Sequence, residues 1–582
     1  MKKYLFIALA ALGFAACAEK MDDNSPVQKG ELEESYIAIN LMAADVDTRA
    51  VTDPVGNADE YGYEQGTTAE RAIISAYFFF FDAEGNAFNV TGNPASAPGG
   101  SVNHLSLNIT DQNPAASSLP NVSDIKNAVL VLKTYTGIYP SQIVAVLNWT
   151  PDANTAYDLD ELHEALATIG NDNNGYVMSN SVYMDGAGNV VDAVPLTAAN
   201  IKTTPEAAKA APINIYVERT AAKVVLTANG KVEGTDNIFD TQKNSTPVLS
   251  AGTSSEIDVY VKLHGWELYN DYNSSSLLKN IDTTWDPVDL GLTWNDIPYY
   301  RCYWALSQGT AHDDSFSWTY NDDTKAAKGF QTNYGFKVAS AADYADRKTY
   351  TYCGENTNDE ALRTKVILKG QLMQKNSDEY EPLELASWYG TEYAGNKALR
   401  IAVANSLKYT LYYFDETNSK YISIDPDDLI CVEGTKVNAE AYEVGFQLTT
   451  EAATNKRWYQ YSSSEGYKVF GDTDVAGDNA AKANEYLKSV QPALLYASGQ
   501  TYYIVDIKHL GKKDTPSEYG IVRNHVYQID IESIKGYGSP VYNGSSNLEN
   551  PEYPEVSESS YVAARINVLS WKVVKQQVNV GQ

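Results

Sequence analysis

The sequence predicts an all-β protein built from tandem β-sandwich domains. Two observations carry that expectation. Tyr is used 43 times in 582 residues while Met and His appear only 6 times each, and Thr, Val, Asn and Ser are also abundant; aromatic and β-branched side chains suit a pleated, half-buried surface. Short alternating or wholly apolar runs are punctuated by Gly, Asn and Asp turns, with little helical periodicity, which favours sandwiches over a βαβ sheet. A chain of this length is expected to hold about two to four domains.

The first residues set the expected compartment. Met1-Lys2-Lys3 is a basic start, and Tyr4 to Phe14 is an apolar run shorter than the ~20 residues a membrane span needs. Ala15-Ala16-Cys17 follows, small side chains before a lone cysteine. This is the pattern of a lipoprotein signal peptide (residues 1–16) whose Cys17 becomes the acylated first residue, although Phe14 stands where Leu is usual. Ala18 to Asp23 resembles a surface-export signal, and residues 18–35 read as a polar tether.

Tyr36 to Met42 alternates, placing Ile37, Ile39 and Leu41 on one strand face. A loop leads to Arg49-Ala50. Ile73 to Asp82 is an apolar-aromatic strand expected to be buried on both faces, followed by a turn at Glu84-Gly85-Asn86. Further strands are read at Ala128–Leu132 and Ile143–Leu147. Asp158 to Ala167 is the clearest short helix, with Leu159, Leu162 and Leu166 on one side. Ile213 to Thr227 is a pair of strand signals broken at Glu218-Arg219, and the domain boundary is placed just after it, near Asn229-Gly230. Beyond it come Ile257–Leu263, Trp266–Tyr269, Lys365–Leu372, Tyr502–Ile507 and Val522–Ile531.

Gly536 to Glu558 is rich in Gly, Pro, Ser, Asn and Glu and reads as a linker or extended arm. The strand signal at Tyr561–Val580 lies past it, cut off from its sandwich. Val562, Ala564, Ile566 and Val568 share one face, and the apolar phase then moves to Leu569, Trp571 and Val573, implying a bend or bulge.

Candidate chemistry is sparse. The histidines are scattered, with no HExxH pair, no GxSxG elbow and no phosphate-binding glycine loop. Cys302, Cys353 and Cys431 are three thiols besides Cys17, with no CxxC, so neither a disulfide framework nor a cysteine zinc site is expected. Acidic clusters at Asp425–Asp428 and Asp472–Asp474 lack a calcium ladder and read as solvated turns. No enzyme activity, cofactor or metal is expected. A net charge of −31 and a pI near 4.5 argue against a nucleic-acid partner. Exposed aromatic pairs such as Tyr299-Tyr300 and Trp388-Tyr389 leave glycan binding open, with sandwich packing the other use.

Several short segments, taken in order, resemble one family. They are the Cys17 signal, the strand and arginine of Tyr36–Arg49, Val217-Glu218-Arg219 with Ala222-Lys223-Val224, and Tyr352-Cys353-Gly354-Glu355-Asn356-Thr357. Val522-Arg523-Asn524-His525-Val526-Tyr527 and Val568-Leu569-Ser570-Trp571-Lys572-Val573 complete the set. The chain resembles the fimbrillins of type V pili, most closely the Mfa-type major (shaft) subunit; residues 446–497 match nothing in that pattern.

The resemblance implies two transthyretin-like, Greek-key sandwiches in tandem with short helical insertions: a lipidated (palmitoylated) propeptide at 17–49, an N-terminal domain at 50–229, a C-terminal domain at 230–555 and a donor strand at 556–582. It implies an outer-membrane precursor cut by an arginine-specific protease between Arg49 and Ala50. Loss of the strand bearing Ile37, Ile39 and Leu41 then opens a groove. A neighbour's Ile566, Val568, Leu569, Trp571 and Val573 fill it, giving a head-to-tail homopolymer on the cell surface that supports adhesion, with anchor and tip subunits as partners. The alternatives are a glycan-binding surface lipoprotein, a surface hydrolase, or a tip or anchor subunit of the same pilus.

Overall fold

A computed structural model describes residues 32–44, 61–63, 67, 69–90, 102–106, 110–111, 122–135, 139–184, 190–228, 237–241, 248–249, 256–282, 305–307, 318–319, 350–360, 362–433, 443–509, 516–542, 547–548, 561–569 and 572–576. The fold is predominantly β-sheet with a few short helices.

The first unit is a single large sheet. Its principal strands are β1 (Leu32–Ala44), β2 (Ala76–Phe81), β3 (Val122–Tyr135), β4 (Gln142–Leu147), β5 (Met178–Asn180) and β6 (Ile213–Arg219), in spatial order β2-β4-β5-β6-β1-β3. The sheet rolls so that Leu105, beside β2, and Leu130, on β3, join one core cluster although they come from strands near opposite ends. Phe78 and Phe80 point into that core, while Phe79 and Phe81 enter a second cluster on the other face. All four phenylalanines are fully buried, as a wholly apolar strand requires.

The expected helix is shorter than its sequence pattern. It spans Leu159–Glu164, with Asp158 closing a capping box with Glu161. Ala165 is extended, and Leu166, expected on the helical face, starts a strand instead and is 40% exposed. The ladder that Leu166–Thr168 makes with Ser274–Ser276 takes the residues into which the helix would have continued.

The chain leaves this sheet at Thr220, not near Asn229-Gly230. β7 (Ala221–Ala228) lies in the second unit, parallel to Val526–Lys535 and antiparallel to Tyr350–Gly354. Its alternating residues Val224 and Leu226 face the second core, so the break at Glu218-Arg219 marks the crossing.

The second unit is a sandwich. One sheet holds β7, β9 (Tyr350–Gly354) and β12 (Val526–Lys535); the facing sheet holds β8 (Val259–Tyr269), β10 (Lys365–Asn376) and β11 (Gln500–Asp506). Between them pack Leu226, Leu263, Trp266, Leu368, Tyr503, Tyr527 and Ile529. The two signals read at 257–263 and 266–269 are one strand with an irregularity between Leu263 and Gly265.

Between β10 and β11 the chain builds a module with its own core around Leu399, Val403, Phe446, Trp458 and Leu487. The expected single C-terminal domain at 230–555 therefore contains a second folding core. Asp425 in this module caps a short 3-10 turn at Pro426–Asp428, and Asp428, expected in a solvated turn, is instead buried and paired with Lys456. Among the described residues, no helix is long and apolar enough to cross a membrane.

The module carries one titratable weak point. Ser387 Oγ donates to Glu392 Oε1 at 3.1 Å, while Oε2 has no hydrogen-bond partner among the described residues. Burial pushes this carboxyl from its ordinary 4.5 up to about 7, against the Ser387 bond. Between those values the native form holds a proton that the unfolded chain has released. Stability from this group is therefore present below pH ~4.5 and is lost as pH rises toward ~7, on the order of 3 kcal/mol. Comparing wild type with Glu392→Gln in chemical unfolding at pH 5 and pH 8, the variant should gain much more stability at pH 8 than at pH 5. An equal effect at both values would contradict this.

Candidate functional site

β1 is an interior strand of its sheet, paired on both sides. It pairs antiparallel with β3 along its whole length, Ile37 opposite Leu130 and Ile39 opposite Ala128, and parallel with β6, Ile39 opposite Ile213 and Leu41 opposite Ile215. Ile37 and Ile39 have no exposed surface and pack with Phe78, Phe80, Leu132 and Ile215. Leu41 is placed by its backbone register alone. Tyr36 exchanges backbone hydrogen bonds with Lys202 at 2.7 and 2.9 Å. Each buried isoleucine is worth roughly 1.5–3 kcal/mol, so losing β1 would uncover an apolar slot between two strands whose edges both face it. Cys17, Arg49 and Ala50 lie outside the described residues.

The C-terminal segment is not isolated. β13 (Tyr561–Leu569) pairs antiparallel with β12, setting Ile566 opposite Ile529, Val568 opposite Tyr527 and Leu569 opposite Val526. β14 (Lys572–Gln576) turns back on β13, with Val573 opposite Leu569. Trp571 lies outside the described residues, in the break between these strands, where the apolar phase changes. The expectation of a strand without a partner in its own chain is thus corrected: within one chain the tail forms a hairpin at the edge of the second sheet. Tyr61–Tyr63, downstream of Arg49, pairs with Lys572–Val574 on the hairpin's outer side.

Three of the motifs that carried the resemblance, at 217–224, 352–357 and 522–527, meet in a buried polar junction between the two units. At the end of β6, Glu218 meets Lys279 at 3.0 Å, with both side chains fully buried. Arg219 Nε donates to the Glu70 carbonyl at 2.7 Å. On β7, Lys223 reaches the Glu70 carboxylate at 3.0 Å, and the Tyr352 hydroxyl donates to the same carboxylate. Burial raises the Glu70 carboxyl, but the Lys223 charge, the Tyr352 hydroxyl and the Thr67 N–H outweigh it and hold the group below its ordinary value. Arg523 pairs with Glu355 at 3.2 Å and donates to the carbonyls of Ser276 and Leu277 at 2.7 and 3.2 Å. This junction went unread in the sequence; the signal that could have found it is charged residues inside apolar strands, Glu218 and Lys223 above all. Among the described residues, no group of three or more His, Cys, Asp and Glu is placed to hold a metal.

Residues 494–577 match the family model described as the major fimbrial subunit protein type IV, fimbrillin, C-terminal. That stretch contains β11, β12, β13 and β14. No curated protein matches the chain. Similar solved structures include a fimbrilin from Porphyromonas gingivalis, at 12% identity and TM-score 0.33, covering 91% of this chain and 96% of that one. A fimbrial assembly protein from Parabacteroides distasonis has 11% identity and TM-score 0.27, covering 75% and 100%. The tip fimbrial protein Mfa3 from Porphyromonas gingivalis has 10% identity and TM-score 0.25, covering 92% and 99%. At these values the likenesses carry no argument, and what is shown is the sequence match: residues 494–577 are similar to the C-terminal segment of the fimbrillins.

Proposed function

We propose that the chain is a structural subunit of a cell-surface fimbrium, specifically a shaft subunit of the Mfa type. It is exported as a lipoprotein on Cys17, cut between Arg49 and Ala50 by an arginine-specific protease, and polymerised by strand exchange. The observation that carries this reading is the position of β1, paired on both sides and presenting Ile37 and Ile39 to the core. A strand so placed cannot leave without a replacement, and an extended segment from another chain can supply both the ladder and the apolar side chains.

The tail suits the donor role because its own site lies near the edge of its sheet, with only the short strand Tyr61–Tyr63 beyond it. Release of β13 and β14 leaves β12 still paired with β7, whereas release of β1 opens a gap between two strands of its sheet. While β1 is attached, its effective concentration at the slot is of mM order and a foreign strand competes poorly. Cutting the chain removes that advantage. In this reading the hairpin is the resting form of a single chain, and Ile566, Val568, Leu569, Trp571 and Val573 act in a neighbour after exchange. Anchor and tip subunits of the same fimbrium are the remaining partners, and the subunit's role is structural rather than enzymatic.

Arg49→Ala should abolish filaments while leaving a folded, surface-exposed precursor. Negative-stain microscopy of intact cells, beside antibody labelling of the same cells, reads both properties. Normal filaments from this variant would overturn the proposed cut.

A further inference from the structure

The inserted module has a surface that strand exchange does not use. A four-stranded sheet runs in the order Lys420–Ser423, Leu411–Asp415, Trp458–Ser462, Gly466–Val469. Side chains alternate between its faces. Tyr413 and Trp458, opposite each other, face the module core; Trp458 is fully buried and its Nε1 donates to the Ala452 carbonyl at 3.1 Å. The same registers send Tyr412, Phe414, Tyr421, Tyr459, Tyr461 and Tyr467 to the opposite face.

Those rings meet one another. Tyr421 and Tyr467 stack with centroids 3.7 Å apart and planes within 4°. They come from the two edge strands, so the sheet curls its aromatic face inward. Phe414 and Tyr459 set edges against Tyr421 at 5.1 Å each; Tyr412 and Tyr461 approach Tyr467 at 5.1 and 4.9 Å. The cluster remains open to water: Tyr421, Tyr461 and Tyr467 are 36%, 37% and 40% exposed. A contiguous exposed aromatic patch on a folded module marks a candidate interaction surface.

The face specifies its ligand by what it contains. Asp415, Lys420 and Lys468 alternate to the other side, leaving rings, phenol hydroxyls, Ser423 and Val469. A basic ligand finds no carboxylate among them and would be held by the rings alone, and an acidic ligand is opposed by the chain's net charge of −31. A purely aliphatic patch would bury phenol hydroxyls without partners, which is costly. A sugar chain offers C–H faces for the rings and hydroxyls for the phenols.

We propose that this tyrosine face is a binding surface for a neutral oligosaccharide. The inference is independent of the polymerisation reading, because the module has its own core and the face includes neither β1 nor the tail.

The test is the full-length chain on a printed array of neutral and sialylated oligosaccharides, followed by calorimetric titration of the strongest neutral binder. Neutral spots should label in preference to sialylated ones. Tyr467→Ala and Tyr421→Ala should each weaken the affinity about tenfold or more, and Tyr467→Phe less. Thermal unfolding of each variant separates a lost ring from a lost fold, with Tyr461→Ala as the substitute should either one fail to fold. An unlabelled array, labelling of sialylated spots alone, or affinity unchanged in the alanine variants would overturn the proposal. So would sedimentation showing that the face serves self-association, abolished by Tyr467→Ala, with no sugar bound.

Discussion

Arg523→Ala should lower the stability of the second unit by about 3–5 kcal/mol, the usual cost of removing one member of a buried ion pair. The guanidinium has no exposed surface and is shared between the Glu355 carboxylate and the carbonyls of Ser276 and Leu277. Alanine would leave an uncompensated carboxylate and two carbonyls in a dry site. Leu277 O also accepts from Ser179 Oγ on β5 at 2.5 Å, so the loss loosens the junction with the first unit as well. Arg523→Lys should recover part of the loss, because an ammonium supplies charge without the planar fork. Urea unfolding followed by hydrogen exchange resolves which unit melts, a separation required because a chain with several cores need not unfold in two states. A loss below about 1 kcal/mol would show that the junction is not held by this residue.

Deleting residues 559–582 should abolish filament extension while leaving a protein that is secreted, cut after Arg49 and folded. In the single chain these residues form an edge hairpin, and β12 keeps its parallel pairing with β7 when they are gone. Ile566→Asp should act nearly as strongly, since an unpaired charge in an apolar slot costs several kcal/mol. Electron microscopy of the deletion beside a protease-resistance assay of its body separates the possibilities. Normal filaments would exclude donation by the tail. An unfolded body would mean that the hairpin belongs permanently to its own sheet.

What could be read in the sequence was local, and what could not depended on distant pairing. The alternation at Tyr36–Met42 found β1, which runs from Leu32 to Ala44, because period-two patterning follows from a strand with one buried face. The run of phenylalanines at 78–81 identified a strand buried on both faces for the opposite reason, since a strand covered on both sides has no polar face to alternate with. The boundary at Thr220 was not legible because β7 looks like the continuation of β6; only its pairing with β12, some 300 residues onward, assigns it to the second unit. The tail's strand was legible, but its hairpin partner was not, since nothing local says which edge it meets. The inserted module escaped because its core gathers residues from Ala386 to Leu495, and the tyrosine face because its rings come from four strands whose registers bring them together.

Mass spectrometry of subunits from purified surface filaments tests the strand-exchange account most directly. The account predicts a first residue of Ala50, intact tail peptides containing Ile566, and no peptide containing Ile37 or Ile39. Filaments whose subunits still carry Ile37 would contradict it, because the slot between β3 and β6 would then be filled by the chain's own β1.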